Sequence, residues 1–76
     1  MLIVTNSASS ELLRQSISRG SPGKVYIYLQ PDKFEEGWMF LRVSAWKKSG
    51  IPIARTNGLT VYAPESQKSV LDGLTI

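Results

Sequence analysis

The sequence predicts a small α+β domain with a helix near each end. Apolar residues near the amino terminus recur at helical spacing, and two later segments alternate in the period of a strand. An Asn-Gly pair between two further apolar runs is typical of a hairpin. With 76 residues the chain lies near the lower size limit for one unstapled hydrophobic core, so we expect a single domain covering residues 1–76.

The first predicted elements are a short strand and a helix. The apolar stretch from Met1 to Val4 predicts the strand, and Thr5 or Asn6 can cap the helix that follows. We place this helix at about Ser7 to Arg19, with Gly20 as its left-handed stop. Its apolar residues are Ala8, Leu12, Leu13 and Ile17.

The middle of the chain contains one clear strand and one ambiguous segment. After the turn at Ser21-Pro22-Gly23, the apolar residues Val25, Ile27 and Leu29 alternate with more polar ones, which predicts a strand with one buried face. Pro31 to Gly37 is a polar loop. Trp38 to Trp46 also alternates as a strand, but the same residues place an apolar stripe at helical spacing, so periodicity leaves both interpretations open.

The final third predicts a hairpin, a short helix and a last strand. A turn at residues 47–50 precedes two strands, Ile51 to Arg55 and Leu59 to Tyr62, which Asn57-Gly58 joins. Pro64 suits the first position of a helix and Glu65 its positive end. Asp72-Gly73 stops that helix, and residues 74–76 form the last strand.

Composition excludes several kinds of chemistry. The chain has no Cys and no His, which excludes disulfides, thiolate metal sites and the usual bases of nucleophilic catalysis. The carboxylates Asp32, Glu35 and Glu36 indicate a solvated loop rather than a weak cation site. We therefore expect a protein that is not an enzyme and that holds no metal or cofactor.

The hydrophobic pattern and the charge favour a cytoplasmic interaction protein. The longest apolar run is far short of a membrane span, and the first residues turn polar too early for a signal peptide. The net charge is +3, and the excess is concentrated between Glu36 and Glu65, where four basic residues occur without an acid. These candidate contacts for a partner or for nucleic acid are Arg42, Lys47, Lys48 and Arg55. Trp38 and Trp46 are the candidate interface aromatics.

Taken in order, these elements resemble the HesB or IscA family of A-type iron–sulfur carrier proteins. The start Met1-Leu2-Ile3-Val4-Thr5-Asn6-Ser7-Ala8 is similar to the family's opening strand and helix, and Pro22-Gly23 with the strand after it to its next strand. The most specific likeness is the run from Gly50 through Asn57-Gly58 to Leu71-Asp72-Gly73-Leu74-Thr75-Ile76, which is similar to the family's Leu-Asp-Gly-x-x-Ile element and the segment before it.

The family's cluster ligands are absent from this sequence. Phe34 stands where the family has its first Cys, and the chain ends before the family's Cys-Gly-Cys tail. The resemblance therefore implies a cysteine-free scaffold with no bound cluster, which contacts a protein partner or forms a homo-oligomer and acts in or regulates iron–sulfur assembly.

An alternative resemblance covers residues 43–71, which look like the turn and wing of small excisionase or MerR-type DNA-binding proteins. In this hypothesis Trp46 to Pro52 ends a recognition helix, the Asn57-Gly58 hairpin forms the wing, and the basic residues neutralise phosphates. The two hypotheses make opposite predictions for Trp38 to Trp46, a strand in the first and a helix in the second.

Overall fold

One helix lies across a mixed four-stranded sheet in the computed structural model, which describes residues 2–34 and 36–76. The α+β class predicted from the sequence is confirmed. The expectations that concern Met1 and Glu35 lie outside the described residues. No helix in the described ranges is both long and apolar enough to cross a membrane.

The N-terminal helix, α1, spans Asn6–Ser18 and begins at the predicted cap. Thr5 is extended, and its Oγ1 accepts a hydrogen bond from the Ala8 N–H at 3.2 Å. Gly20 follows with φ of 81°, as expected for the residue that ends the helix. The predicted boundaries are one residue late at each end.

The sheet is built from two hairpins that lie side by side. Its strands are β1 (Lys24–Pro31), β2 (Met39–Ala45), β3 (Ile51–Thr56) and β4 (Leu59–Ala63). The order across the sheet is β2-β1-β4-β3, with a parallel pair of β1 and β4 in the centre and antiparallel pairs on either side. This order makes β2 and β3 the two edges.

The ambiguous segment is a strand, and the helical interpretation is wrong. All seven residues of β2 pair with β1, from Ala45 opposite Val25 to Met39 opposite Pro31. A helix would satisfy the same backbone groups internally, but the neighbouring strand β1 offers this segment a full ladder and a continuous apolar face.

The Asn57-Gly58 turn joins β3 to β4 as predicted. Both residues have positive φ, 49° for Asn57 and 77° for Gly58, which is the conformation that a two-residue hairpin turn needs. β3 also contains Pro52 and a register shift between Pro52 and Ala54.

The chain after β4 forms a 3₁₀ turn, Glu65–Gln67, and a one-turn helix α2, Lys68–Leu71. Pro64 was predicted to be the first helical residue, but it is the extended residue just before the turn. The two predicted terminal strands do not enter the sheet. Instead Ile3 and Thr75 form an isolated parallel bridge, in which the Ile3 N–H donates to the Leu74 carbonyl at 2.7 Å.

The core lies between the sheet and the helices. Its fully buried side chains come from β1, β4 and α2 and include Val25, Ile27, Leu59, Val61 and Leu71. On α1 the apolar stripe is only partly correct, because Leu12 is buried whereas Ile17 is 60% exposed. The small residues Ser9 and Ser16 take the helix side that faces the core, and the Ser16 hydroxyl donates to the Leu13 carbonyl.

Candidate interaction surfaces

We call the side of the sheet that points away from α1 the open face. It consists of the strand positions that alternate with the core residues Val25, Ile27 and Val61. Five aromatic side chains lie on it, which are Tyr26, Tyr28, Phe40, Trp46 and Tyr62.

The aromatic rings of the open face contact one another. The ring centroids of Trp46 and Tyr62 are 5.8 Å apart in an edge-to-face arrangement, and those of Tyr26 and Tyr28 are 6.0 Å apart. Tyr26 is buried beneath the others, whereas Tyr28, Trp46 and Tyr62 are half-buried. The predicted interface residue Trp46 is thus part of a ring cluster, and its Nε1 is buried without a hydrogen-bond acceptor.

Gly50 makes room for this cluster. A Cβ at this position would lie 2.8 Å from the Tyr26 ring and 3.1 Å from the Tyr62 Cβ. Since real Cβ atoms do not approach other atoms at 2.8 Å, a side chain here would displace the tyrosines. The turn between β2 and β3 can therefore cross the open face closely only because residue 50 is glycine.

Three of the four predicted basic contacts belong to the open face. Arg42 stands opposite Tyr28, and its guanidinium lies 5.8 Å from the Phe40 ring centroid. The Lys47 Nζ lies 5.2 Å from the Tyr26 centroid. Arg55 pairs with Thr60, which places it at the β3 side of the same face.

Two more lysines lie near the open face, and Lys24 contacts one of its rings. Lys24, which the sequence analysis did not select, has its Nζ 4.6 Å from the Trp46 ring centroid. Lys48, the fourth predicted basic residue, is exposed in the turn after β2. The structure therefore brings Arg42, Lys47 and Arg55 together with Lys24.

The second surface is the outer half of the β1–β2 hairpin, residues 28–42, which we call the arm. It projects past β4, because β4 pairs with β1 only at residues 24–26. Its large apolar side chains are exposed: Phe34 by 94%, Trp38 by 66%, Met39 and Phe40 by 49% each, and Leu41 by 38%. The predicted interface residue Trp38 lies here, apart from Trp46.

One side chain ties the arm to the rest of the domain. The Gln67 amide accepts a hydrogen bond from the Leu29 N–H at 2.7 Å and donates one to the Leu29 carbonyl at 3.0 Å. It therefore occupies the place that a neighbouring strand would take beside β1, just where β4 ends.

The two edges of the sheet differ in how they are protected. β3 carries Pro52, which has no N–H to offer, and an irregular register that disturbs the edge. β2 is regular over seven residues, has no Pro, and carries one charged side chain, Arg42, which points to the open face. β2 therefore has an edge on which a further strand can pair.

The chain offers no thiolate or imidazole ligand for an iron–sulfur cluster. The chain has no Cys or His, and Phe34, in the loop of the arm, is 94% exposed. Within residues 2–34 and 36–76 no three Asp or Glu side chains are grouped so that they could hold a metal ion.

An ion pair between Arg14 and Glu11 lies on α1, away from both surfaces. Hydrogen bonds from Arg14 and Gln15 lower the pKa of the Glu11 carboxyl to about 2. All three side chains stand on the solvent side of the helix, one turn apart, so this cluster is a helix-surface feature.

Sequence reasoning found most of the basic residues but missed the aromatic cluster. Alternation alone places Tyr26 and Tyr28 on one side of β1, and it does the same for Tyr62 within β4. Their meeting with Trp46 depends on the strand order, which no local signal encodes. Comparison of this chain with family models, curated proteins and solved structures gives no match.

Proposed function

We propose that this chain is a non-enzymatic protein-binding domain that receives an extended segment of a partner protein along the edge of β2. The observation that carries this proposal is the difference between the two edges. Proteins commonly protect an edge strand with proline, a bulge or inward-pointing charge, because an unprotected edge recruits other strands. β3 has two of these devices and β2 has neither Pro nor bulge.

The side chains of β2 support strand addition as well. Met39 and Leu41 point to one side of the sheet and Phe40 to the other, and all three are between 38% and 49% exposed. A partner strand would gain main-chain hydrogen bonds from the edge and specificity from alternate side chains that pack on these residues. We expect the partner segment to be extended and to alternate apolar residues.

The finer part of the proposal is that the scaffold is HesB- or IscA-like and acts in the cytosol in connection with iron–sulfur assembly. Its support is the order of elements: an N-terminal helix, the Asn57-Gly58 hairpin, and a short helix that ends at Asp72-Gly73. Because the chain has no thiolate, its part in such a process would be contact with an assembly protein, not transport of a cluster.

The alternative function, duplex-DNA binding by a winged helix, lacks the recognition helix that it requires. It needs a recognition helix that ends near Trp46, and residues 39–45 are a sheet strand. Strand-based reading of a duplex groove is a different mechanism, and nothing in the β2–β3 arrangement favours it.

A peptide selection tests the strand-addition proposal. A displayed library of segments of about eight residues, a typical strand length, is selected on the purified protein. We expect the enriched peptides to alternate apolar residues, to protect the backbone amides of β2 from hydrogen exchange, and to lose binding in Leu41→Lys. Val70→Lys is the matched control, since Val70 is exposed on α2.

Two results would contradict the proposal. Enriched peptides that bind Leu41→Lys as well as the wild type, or that protect β3 instead of β2, would remove the strand-addition mechanism. Separately, reconstitution with iron and sulfide should leave the protein colourless, and a stoichiometric visible chromophore would refute the cluster-free part of the proposal.

A further inference from the structure

The open face combines aromatic rings and positive charge, a combination that protein binding along the β2 edge does not use. The chain has seven aromatic residues, two Trp, three Tyr and two Phe, and five of them stand on this face. The rings are not needed to fill the core, which lies on the other side of the sheet. Phe40 is half exposed, Tyr28, Trp46 and Tyr62 are half-buried, and their concentration on the face opposite the core requires a separate explanation.

The charge of the open face has one sign. None of the four strands contains Asp or Glu, whereas Lys24, Arg42 and Arg55 belong to them and Lys47 follows β2. The described carboxylates lie elsewhere, on α1, in the loop of the arm, and around α2. A face of this kind attracts an anionic partner.

Three of the four cations stand beside a ring. The Lys24 Nζ lies 4.6 Å from the Trp46 centroid, the Lys47 Nζ 5.2 Å from that of Tyr26 and 5.9 Å from that of Tyr28. Arg42 lies over Phe40 in the same way. A partner that matches this arrangement presents flat apolar groups and negative charges in alternation along its length.

We infer that the open face binds single-stranded nucleic acid, with bases stacked on the rings and phosphates paired with the lysines and arginines. Base stacking on aromatic side chains beside a basic groove is the general mode of single-strand binding, and an exposed four-stranded sheet can provide such a platform. A duplex keeps its base faces covered, so it can use the charges of this face but not its rings.

Other occupants fit the open face less well. A second copy of the chain placed face to face would bring four cations against four cations, which opposes association. An acidic peptide would neutralise the cations but leave the rings without a partner. Single-stranded nucleic acid satisfies both kinds of side chain.

The dimensions of the face suit a short segment. From Lys24 to Gln30, seven residues of β1 cover about 20 Å at the usual rise of a strand. Sheets of this kind stack two or three bases. In the free protein the lysines lie over the rings, so a stacking base displaces Lys24 from Trp46 and leaves its ammonium group beside the adjacent phosphate.

Fluorescence anisotropy with labelled oligonucleotides of about eight nucleotides tests the inference. The probes are a single-stranded RNA, the corresponding DNA single strand, and the DNA duplex. We expect both single strands to bind more tightly than the duplex at equal salt. A preference for RNA would indicate contact with the 2′-hydroxyl, and equal affinity would indicate backbone and base contacts alone.

Ring and charge variants separate stacking from attraction by charge. Tyr28→Leu and Trp46→Leu should each weaken single-strand binding about tenfold, whereas Tyr28→Phe and Trp46→Phe keep a ring and should bind nearly as the wild type. Lys24→Gln with Lys47→Gln should lower the slope of log affinity against log salt by about 1.4, because two phosphate contacts are lost. Lys68→Gln and Arg19→Gln lie off the open face and are the matched charge controls.

Thermal unfolding of each variant shows whether it is folded before its affinity is compared. The inference is overturned if the single strands do not bind at low salt, or if Tyr28→Leu and Trp46→Leu bind as the wild type. It is also overturned if the duplex binds as tightly as the single strand, if an acidic peptide displaces the RNA at equal charge concentration, or if sedimentation shows that self-association covers the face.

Discussion

The base of the sheet and the arm consist of the same two strands, β1 and β2, yet their side chains have opposite environments. At the base, where β4 pairs with β1, Val25 and Ile27 are completely buried. In the arm, the same ladder continues to Pro31 and Met39, but Met39 and Phe40 are half exposed. The ladder between β1 and β2 is therefore continuous through both regions, whereas coverage by other elements is not.

This difference shows which contacts form the core. α1 packs on β1 and β4, and Leu71 of α2 closes the same side, so apolar residues at the base are removed from water on folding. In the arm, Leu29 packs against the edge of the core and bonds the Gln67 amide, while residues 38–41 stay exposed. We conclude that packing at the base stabilises the domain, whereas the arm contributes mainly exposed surface.

Truncation of one leucine in each region should show the difference between the base and the arm most strongly. Leu59→Ala at the base, where the side chain is 1% exposed, is expected to lower the free energy of unfolding by about 2–5 kcal/mol, through lost burial and a cavity. Leu41→Ala in the arm should cost about 1 kcal/mol or less. Urea denaturation measures both, and equal losses would show that the arm belongs to the core.

Replacing one glycine in each region should lower stability by a smaller amount, and the cause differs between the two positions. Gly50→Ala should lower stability by about 2 kcal/mol, because its Cβ meets the Tyr26 ring at the base. Gly37→Ala, in the loop of the arm, should cost about 1 kcal/mol, because φ is 85° while the space around it is open.

Asparagine distinguishes these two causes in the same denaturation experiment. Asn tolerates the left-handed region, so Gly37→Asn should recover much of the loss, whereas Gly50→Asn should be no better than Gly50→Ala. Recovery at both positions would mean that residue 50 is limited by its backbone conformation and not by the tyrosines.

The smallest expected effect concerns the hydrogen bonds between Gln67 and the arm. Gln67→Ala should lower the free energy of unfolding by about 1 kcal/mol, because the Leu29 N–H and carbonyl lose their partner. It should also speed hydrogen exchange at the Leu29 amide more than at the Val25 amide. Gln15→Ala, whose amide bonds the exposed Glu11 carboxylate, is the control. Unchanged exchange at Leu29 would show that the tie does not hold the arm.

Local signals in the sequence predicted the elements well. Thr5 at the start of α1, the alternation of β1, and the Asn57-Gly58 turn are each encoded within a few residues, and the structure has all three. The errors occur where segments distant in sequence decide whether a side chain is buried. Ile17 is at helical spacing yet exposed, because α1 buries the side that carries Ser9, Leu12 and Ser16 instead.

The candidate site was predictable only in part for the same reason. Arg42, Lys47 and Arg55 were selected from local charge, and the structure gathers them on one face. Lys24 was missed, because nothing in its neighbourhood distinguishes it from an ordinary strand lysine until Trp46 lies beside it. Trp38 and Trp46 looked equivalent in the sequence, and the fold separates them between the arm and the open face.

By itself the sequence determined the α+β class, the helix, the hairpin turn and the absence of thiolate and imidazole chemistry. These properties follow from composition and from residue periods that act over a few positions. Only the tertiary structure decided that residues 39–45 are a strand, that β2 is an unprotected edge, and that the aromatic and basic side chains share one face. The physical reason is that strand order and coverage depend on hydrogen bonds and packing between segments far apart in the chain, which no local pattern specifies.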